Sequence, residues 1–525
     1  MSWAPPLSLP HDFNAADYFV DRNLREGHGG NTAIECGDLK VTYGQLCTRV
    51  NRLGNGLKSL GVRIEERVLL LLLDTPEFAI SFFGAIKIGA VPVPVNTLLK
   101  PSDYEYLLNN SRARVAIVTD SLLPLLQAIP RKDLRHLETV VVVGGTVADT
   151  LCFDELVRDQ ATALEAAPTR KDDAAFWLYS SGSTGRPKAC VHLQHDMVVS
   201  TERYAKAILS ISESDRLFSV AKLFFAYGLG NGLYFPLAAG ATSILLPGPP
   251  RPQAIFDVIE RHRPTLFFSV PSNYVKLLAH AASSEREFNL SSIRHAISAG
   301  EALPAAVFHN FKQRFGVEIL DAIGSTEALH MMIANAPGAV RPGSSGRIIP
   351  GFEAKIVDDQ DQPVAPGEIG NLIVKADSTC AYYWNEHEKT KDTLHGHWLR
   401  TGDKYHQDAD GYFWYDGRTD DMMKVSGAWV SPIEIERVLM DHPTVSEAAV
   451  VFRQDADGFS KPAAWVVLRD GNQASPSLTG QLQQFVLQRL PVYKRPHWVE
   501  FLPELPKTAT GKVQRFKLRQ PPAQK

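Results

Sequence analysis

The stretch Tyr179–Lys188 reads YSSGSTGRPK and decides how the rest of the chain is interpreted. It follows a strand-like run, Phe176–Tyr179, and combines serine and threonine hydroxyls with two glycines and a lysine. Glycines let backbone N–H groups turn toward one anion, and the hydroxyls and Lys188 add donors and positive charge. The pattern predicts a loop that holds phosphate, although a polar surface turn would use the same residue types. Its spacing, Gly182-x-x-Gly185-x-x-Lys188, differs from the phosphate loop of kinases and ATPases.

Length and composition indicate a multidomain globular protein with balanced charge. A chain of 525 residues is too long for one hydrophobic core. Its 44% apolar and 22% charged residues are ordinary for a globular protein. The 55 basic residues balance 58 acidic ones, so no basic field for nucleic acid or an anionic membrane is expected. Five scattered cysteines without a CxxC pair argue against a zinc site and against a disulfide framework.

We expect a cytoplasmic protein with no membrane span. The N-terminus MSWAPPLSLPHDF lacks the basic and then apolar layout of a signal peptide. The longest aliphatic run, Val68–Leu73, is far too short to cross a bilayer. The scattered cysteines fit the same reducing compartment.

Helical and strand patterns alternate along most of the chain. Thr42 and Gln45 form a capping box ahead of a helix whose apolar residues recur at helical spacing. Continuous apolar runs such as Val68–Leu73 and Val115–Thr119 predict strands that are buried on both faces. This alternation predicts an α/β fold with stacked, mostly parallel, helix-covered sheets. Ligands of such sheets bind beyond the carboxyl ends of the strands, where we expect the Tyr179–Lys188 loop.

Two changes of pattern divide the chain into domains. Between Pro350 and Val374, short strands and turns predict a small β subdomain. After Gly417 the patterns describe a compact α+β unit of about one hundred residues, a normal size for a domain. We therefore predict an N-terminal domain at residues 1–418 and a small C-terminal domain at residues 419–525.

Five short motifs follow one another along the chain. They are YSSGSTGRPK, STE (Ser325–Glu327), TGD (Thr401–Asp403), GRTDD (Gly417–Asp421) and PKTATGK (Pro506–Lys512). In this order and at these separations they resemble the adenylate-forming superfamily, which contains acyl- and aryl-CoA ligases, firefly luciferase and peptide-synthetase adenylation domains. Within that group, Lys222–Leu237 (KLFFAYGLGNGLYFPL) and Ile323–His330 (IGSTEALH) are most similar to benzoate-CoA ligases and their relatives.

The resemblance implies a reaction in two steps. A carboxylate attacks the α-phosphate of ATP to give acyl-AMP and pyrophosphate, and the CoA thiolate then displaces AMP. Because the first step brings an anion to a polyanion, neutralising charge should be the main contribution of the protein. The resemblance implies ATP, Mg²⁺ and CoA as cofactors and a small aromatic carboxylic acid as substrate.

The resemblance also assigns roles in nucleotide binding. Thr326 contacts the α-phosphate, and Glu327 binds Mg²⁺, a hard cation that suits carboxylate oxygens. Asp403 accepts the ribose hydroxyls, with Arg418 nearby. Two larger sets complete the site: Ser181, Gly182, Ser183, Thr184, Gly185 and Lys188 at the β- and γ-phosphates, and Ser298, Ala299, Gly300, Glu301, Asp321, Ala322 and Ile323 around the adenine.

The C-terminal domain is implied to be mobile. Lys512 reaches from it to the forming acyl-phosphate in the first step. Family enzymes rotate this domain between the two steps, and the resemblance puts the hinge at Asp420. The opposite face then brings Ser426 and Gly427 to the active site, where Gly427 leaves room for the pantetheine tunnel of CoA. A flexible linker that contains Asp and Gly is the alternative explanation.

The acyl pocket implied by the resemblance consists of Ala226, Tyr227, Gly228, Gly324, His330 and Met331. Ala226 and Gly324 are small enough to admit a flat ring, and Tyr227 offers an aromatic face. This set suits a small aryl acid better than a long alkyl chain. His330 is either a helix residue satisfied by backbone or a contact for an amino or hydroxyl group on the ring. Benzoate, 2-aminobenzoate (anthranilate) and hydroxybenzoates therefore remain open.

Three functions remain open at this point. The first is an ATP-dependent aryl-CoA ligase. The second is a stand-alone adenylation enzyme that loads a separate acyl carrier protein, because the chain contains no carrier-like LGGxS segment. The third is an AMP-binding regulator without catalysis, against which the intact catalytic residues argue. We interpret His192 and His195, close to the phosphate loop, as structural, and the oligomeric state stays open, a homodimer included.

Overall fold

The computed structural model describes residues 7–180, 186–419, 423–425, 428–455, 460–507 and 513–519. In these ranges the chain forms six β-sheets with helices packed against them. All five cysteines are free thiols. No helix in the described ranges is both long enough and apolar enough to cross a membrane.

The largest sheet, here called the central sheet, has nine strands. Its middle strands run parallel, and antiparallel pairs occur only toward the two ends of the strand order. In spatial order the strands are Arg347–Ile348, Met331–Ala334, Ile319–Gly324, His295–Ser298, Leu266–Ser269, Arg216–Ser219, Thr242–Leu245, Thr32–Cys36 and Leu39–Thr42. Parallel neighbours need crossover connections, which explains the alternation of helix and strand patterns in the sequence.

A second sheet contains five parallel strands. In spatial order they are Val91–Pro94, Arg67–Leu71, Val115–Thr119, Thr139–Val143 and Leu151–Cys152. The expectation of strands buried on both faces is confirmed for Val115–Thr119, of which every residue is buried. Val91–Pro94 lies at the sheet edge, where prolines without an N–H group do not interrupt a ladder of hydrogen bonds.

Helices cover both sheets, and local sequence signals fix their ends. The predicted capping box is confirmed, because Thr42 Oγ1 accepts from the Gln45 N–H at 3.2 Å and Gln45 Oε1 accepts from the Thr42 N–H at 3.0 Å. The α-helices are Arg22–Arg25, Tyr43–Ser59, Pro76–Lys87, Pro101–Ser111, Leu123–Gln127, Phe153–Arg158, Asp196–Ser200, Ala226–Leu229, Phe235–Ala239, Pro252–His262, Pro271–Ser283, Ala305–Phe315, His387–Thr393, Pro432–Met440 and Pro476–Leu487. The π-helical segments are Asp17–Asp21, Thr201–Lys206 and Gly230–Tyr234, and the 3₁₀ turns are His28–Gly30, Asp120–Leu122, Arg131–Asp133, Val492–Lys494 and Arg515–Lys517.

A third sheet carries the phosphate loop and is here called the loop sheet. Its three antiparallel strands are Tyr382–Tyr383, Lys188–Leu193 and Ala174–Ser180. The loop therefore joins two neighbouring antiparallel strands, and the prediction that it lies at the carboxyl end of a parallel sheet is wrong. A connection this short closes an antiparallel pair, whereas a parallel pair would need a full crossover.

The remaining sheets account for the last third of the chain. The predicted β subdomain is confirmed as a sheet of Glu353–Val357, Gly370–Lys375, Trp398–Gln407, Leu394–His395 and Phe413–Arg418. Beyond it, Met423–Val425 pairs with Ala428–Val430, and Val445–Gln454, Ser460–Leu468 and Trp498–Phe501 form a three-stranded sheet. A separate hydrophobic cluster around Ile435, Leu439 and Val450 packs this C-terminal part. The boundary between residues 418 and 419 stays a prediction.

Candidate active site

Lys188 stands at the base of the phosphate loop, as the first residue of its strand. It pairs in register with Ser180, and its Nζ lies 6.0 Å from the ring centroid of Tyr383. The Tyr106 hydroxyl donates to the carbonyl of Pro187 at 3.0 Å, so the loop base is anchored from a neighbouring helix. The predicted phosphate ligands Ser181, Gly182, Ser183, Thr184 and Gly185 lie outside the described residues.

Thr326 and Glu327 lie in a tight turn between the strands Ile319–Gly324 and Met331–Ala334 of the central sheet. A Cβ atom on Gly324 would come within 2.4 Å of the His330 carbonyl oxygen, so only glycine allows the two arms of the turn to approach. From the sequence, Gly324 was expected to leave room for a ring. The close approach of the two arms of the turn is a second reason for glycine at this position. The acyl-pocket role of Gly324 stays a prediction.

The carboxylate of Glu327 has one oxygen engaged by a tyrosine. The Tyr383 hydroxyl donates to Glu327 Oε1 at 2.8 Å, and burial together with this carboxylate raises the pKa of Tyr383 far above its usual value. Among the described residues no cluster of three or more acidic, histidine or cysteine side chains could hold a metal alone. A single carboxylate nevertheless fits Mg²⁺, which commonly takes its other ligands from water and phosphate.

Ser298 and Asp321, both predicted at the adenine, are register partners on adjacent parallel strands. Asp321 Oδ2 accepts from the Leu303 N–H at 3.3 Å, and burial raises the pKa of Asp321 to about 8. Ser298 Oγ and Asp321 Oδ1 are buried without a well-formed hydrogen bond among the described residues. Buried polar atoms of this kind are costly unless a ligand or water satisfies them. The pair is therefore suited to a polar ligand.

The other residues predicted around the adenine are neighbours of that pair. Ala299 directly follows Ser298 and is buried, and Gly300 follows with a left-handed φ of 90°. Glu301 is half-buried at the end of this turn. Ala322 and Ile323 continue the strand beyond Asp321. The predicted residues thus lie at the carboxyl ends of two adjacent strands of the central sheet.

Asp403 and Arg418 form an ion pair in the β subdomain. They are register partners, and Arg418 Nη1 donates to Asp403 Oδ1 at 2.9 Å. Tyr405, two residues along the same strand, is fully buried, and its pKa is raised first by burial, then by Asp403 and also by Asp321. Asp403 and Asp321 are therefore both within electrostatic range of one buried hydroxyl.

The segment from Ala226 to Gly228 begins a helix at the edge of the central sheet. The Tyr227 hydroxyl donates to the carbonyls of Ser269 at 3.2 Å and Ile297 at 3.3 Å, near the carboxyl ends of two parallel strands. A Cβ atom on Gly228 would lie 2.1 Å from the Lys222 carbonyl oxygen, so this glycine is required by backbone packing. Tyr227 is thereby held by its hydroxyl while its ring faces His330, at a centroid distance of 5.8 Å.

His330 is buried and neutral. Its Nε2 lies 3.1 Å from Asn231 Oδ1, and burial lowers its pKa to about 3 although the Tyr227 backbone acts weakly in the opposite direction. Of the two alternatives for His330, its place in a helix is wrong, because it directly precedes the strand that begins at Met331. Its Nδ1 has no geometrically well-formed hydrogen bond among the described residues. Met331 is also buried.

The sequence analysis did not identify three polar residues around His330. Asn231 Nδ2 and the hydroxyls of Tyr204 and Tyr234 are buried without a hydrogen-bond partner among the described residues. The two tyrosine rings lie 5.5 and 6.5 Å from the His330 ring, centroid to centroid. All three residues belong to the π-helical segments Thr201–Lys206 and Gly230–Tyr234. π-helices often mark functional sites, but no simple sequence pattern announces them.

The predicted residues of the C-terminal part, Asp420, Ser426, Gly427 and Lys512, lie outside the described residues. Of the described residues that flank this segment, Lys507 and Val513 form an antiparallel β-bridge. Arg515 Nη2 donates to both carboxylate oxygens of Glu436 at 2.8 Å, which ties the end of the chain to the helix Pro432–Met440.

Comparison with known proteins gives matches over nearly the whole chain. The family model for AMP-binding enzymes matches residues 20–384, and the model for the AMP-binding enzyme C-terminal domain matches residues 434–512. A benzoate-CoA ligase of Thauera aromatica is 48% identical over 518 residues, which cover 98% of this chain and 97% of the relative.

Two solved structures resemble this chain over a similar extent. The anthranilate CoA ligase AuaEII in complex with anthranoyl-AMP has a TM-score of 0.92 at 45% identity, covering 97% of each chain. A benzoate CoA ligase from Burkholderia xenovorans LB400 has a TM-score of 0.89 at 44% identity, covering 97% of this chain and 100% of that one.

Proposed function

This chain belongs to the AMP-binding enzyme family, and from that premise we propose that it is an ATP-dependent aryl-CoA ligase for benzoate-type acids. The observation that carries the proposal is the aromatic site beside the Thr326–Glu327 turn, where the half-buried Tyr227 packs against the buried His330. An aromatic site next to the residues proposed to handle phosphate suits a flat acid whose carboxylate meets the α-phosphate of ATP.

In the first half-reaction a carboxylate oxygen of the acid attacks the α-phosphorus of ATP. The bond from that phosphorus to the bridging oxygen breaks, and pyrophosphate leaves with the bond electrons. We propose that Thr326, Lys188 and Lys512 supply donors and positive charge to the reacting phosphates. Glu327 would hold Mg²⁺, which neutralises phosphate oxygens during this step. Opposite charges about 4 Å apart interact by about 4 kcal/mol at an effective dielectric of about 20, so each correctly placed cation matters.

In the second half-reaction the CoA thiolate attacks the acyl carbon of the aryl-AMP. The bond from that carbon to the phosphate oxygen breaks, which releases AMP and leaves the aryl-CoA thioester. We propose that the C-terminal domain turns at Asp420 between the two steps and that Ser426 and Gly427 then border the pantetheine tunnel. The separate hydrophobic cluster of the C-terminal part supports this, because a part with its own core can move as a unit.

The polar atoms around His330 support an acid with a hydrogen-bond donor on its ring. Nε2 faces the acceptor Asn231 Oδ1 and therefore carries the hydrogen, which makes Nδ1 an acceptor without a partner. An amino or hydroxyl substituent could donate to Nδ1 and accept from the hydroxyl of Tyr204 or the amide of Asn231. We therefore propose 2-aminobenzoate or a hydroxybenzoate as the preferred substrate, with benzoate accepted when water replaces the substituent.

The proposal includes the compartment and the acyl acceptor. A cytoplasmic location agrees with the need for ATP and CoA and with five free cysteines. The competing function is loading of a separate acyl carrier protein, which would share the first half-reaction and differ only in the thiol. A homodimer stays an untested prediction, which the molar mass in solution would check.

The decisive experiment measures pyrophosphate release and thioester formation with a panel of acids, with and without CoA. Benzoate, 2-aminobenzoate, the three hydroxybenzoates and a medium-chain fatty acid form the panel, and a phosphopantetheinylated carrier protein is the alternative acceptor. We expect aryl acids to release pyrophosphate and to form a thioester with free CoA. Preference for the fatty acid would overturn the aryl site, and acylation of the carrier protein alone would establish the competing function.

A further inference from the structure

The turn that carries Thr326 and Glu327 holds a backbone conformation it would not adopt by itself. Leu329, two residues after Glu327, is a buried non-glycine residue with a left-handed φ of 67°. Such a conformation costs free energy for a residue with a Cβ atom and persists where the surroundings determine it. The contacts that determine this turn are therefore of functional interest.

Three successive carbonyl groups of the turn are each held from outside it. His192 Nε2 lies 2.9 Å from the Thr326 carbonyl oxygen, and the Cys380 N–H donates to the Glu327 carbonyl at 2.7 Å. The Ser378 hydroxyl donates to the Ala328 carbonyl at 2.9 Å. His192 lies in the loop sheet, and the other two donors lie in the segment that leads into its strand Tyr382–Tyr383.

His192 is held firmly enough to serve as one of these anchors. It is completely buried, and its Nδ1 lies 2.9 Å from Asp196 Oδ2, which also accepts from the Leu193 N–H at 3.0 Å. Both ring nitrogens of His192 therefore face acceptors, a carboxylate and a carbonyl. The contact with Asp196 therefore fixes the orientation of the ring whose Nε2 meets the Thr326 carbonyl.

Tyr383 holds the side chain of the same turn. Its hydroxyl donates to Glu327 Oε1 at 2.8 Å, and it pairs in register with Cys190 on the strand that begins at Lys188. His192 lies on that same strand, so the loop sheet contacts both the backbone and the carboxylate of the turn.

We propose that His192 and Tyr383 are positioning residues for adenylation, with His192 fixing the backbone of the Thr326–Glu327 turn and Tyr383 fixing the Glu327 carboxylate. His192 lies on the strand that begins at Lys188, and Tyr383 pairs with Cys190 on that strand, so both contacts relate the Glu327 carboxylate to Lys188. The inference rests on the proposed function, because it gives these contacts a role only if Glu327 binds Mg²⁺. The structural role of His195 stays a prediction, and its Nδ1 lies 2.8 Å from the Lys171 carbonyl oxygen.

The test of Tyr383 replaces its hydroxyl without changing its ring. Tyr383→Phe removes the hydrogen bond to Glu327, and Tyr382→Phe, on the adjacent and 41% exposed residue, is the matched control. Mn²⁺, used as a Mg²⁺ analogue that electron paramagnetic resonance detects, is titrated into each protein with a non-hydrolysable ATP analogue. Loss of a residue that orients a metal ligand typically weakens metal binding by about 10-fold or more. We expect that loss in Tyr383→Phe and wild-type binding in Tyr382→Phe.

The test of His192 separates its two hydrogen bonds. In His192→Gln the amide nitrogen replaces Nε2 and retains the donor to Thr326, whereas His192→Asn reaches only the position of Nδ1. Both variants lose one bond in the same buried place, so a purely structural role would affect them equally. We expect His192→Asn to lower the rate of pyrophosphate release several-fold more than His192→Gln at matched thermal stability.

Two outcomes would overturn the inference. One is wild-type Mn²⁺ binding in Tyr383→Phe, and the other is equal loss of pyrophosphate release in both His192 variants. Failure of the proposed function looks different, because the wild-type protein itself would then release no pyrophosphate with any aryl acid.

Discussion

Replacing His330 by phenylalanine tests the ring site most sharply. The change keeps an aromatic ring among Tyr204, Tyr227 and Phe235 but removes the free acceptor Nδ1. A hydrogen bond between neutral groups contributes about 0.5–1.5 kcal/mol, which corresponds to a factor of about 2 to 13 in kcat/KM. We expect the ratio of kcat/KM for 2-aminobenzoate over benzoate to fall by that factor in His330→Phe.

The same substitution has a cost that the structure also predicts. His330→Phe leaves Asn231 Oδ1 buried without its partner, which destabilises the fold by about 1–3 kcal/mol. The double variant His330→Phe/Asn231→Leu removes both partners and should recover stability without recovering the preference for the donor-bearing acid. The assay is steady-state pyrophosphate release with both acids, alongside thermal unfolding of each variant.

The reasoning is refuted if the ratio of the two acids is unchanged in both variants. An unchanged ratio would mean that the ring substituent does not reach His330. The low pKa of His330 adds a control, since the folded value of about 3 lies below the unfolded value. His330 therefore stays neutral in the folded protein, and its contribution to stability is lost as pH falls from about 6.5 toward 3. His330→Phe should lack this part of the acid sensitivity.

Three further predictions concern the reaction cycle and the adenine site. Lys512→Ala should lower pyrophosphate release by about 10²–10³-fold, as for loss of one preorganised donor, and should spare thioester formation from supplied aryl-AMP; equal loss in both steps would remove Lys512 from its assigned role. Asp420→Pro should do the reverse in the same two assays, and loss of adenylation would contradict the hinge. Asp321→Asn should increase stability in thermal unfolding more at pH 8 than at pH 5. The reason is the raised pKa of about 8, which disfavours the folded state by about 1.4 kcal/mol per pH unit between the unfolded pKa near 4 and that value. A difference in stability that is the same at both pH values would show that Asp321 is not protonated when buried.

Much of the fold follows from local signals in the sequence. Runs of buried apolar residues such as Val115–Thr119 are strands, and the capping box at Thr42 begins a helix as predicted. These signals succeed because an apolar run and a capping box are each formed by residues that are close along the chain. The predicted location of the phosphate loop was wrong because it depends on which distant strands pair. Apolar periodicity indicates a strand but gives neither its partner nor its direction.

The candidate site was only partly readable from the sequence. The motifs gave Asp403 and Arg418, and the structure pairs them. Ser298 and Asp321, whose roles the resemblance implied, are register partners. The hydrogen bond from Tyr383 to Glu327 joins residues far apart in the chain, and no motif announces it. The unpartnered atoms around His330 depend on side-chain packing, which a pattern of residue types does not encode.

The most direct test of the central claim is the acid and thiol dependence of the wild-type enzyme. Pyrophosphate release is followed with ATP and each aryl acid in turn, and the acyl product is identified with and without CoA. The account predicts aryl-dependent pyrophosphate release, an aryl-AMP in the absence of thiol, and conversion of that aryl-AMP to the CoA thioester when CoA is added. A stronger response to a medium-chain fatty acid than to any aryl acid, or no thioester with CoA, would contradict it.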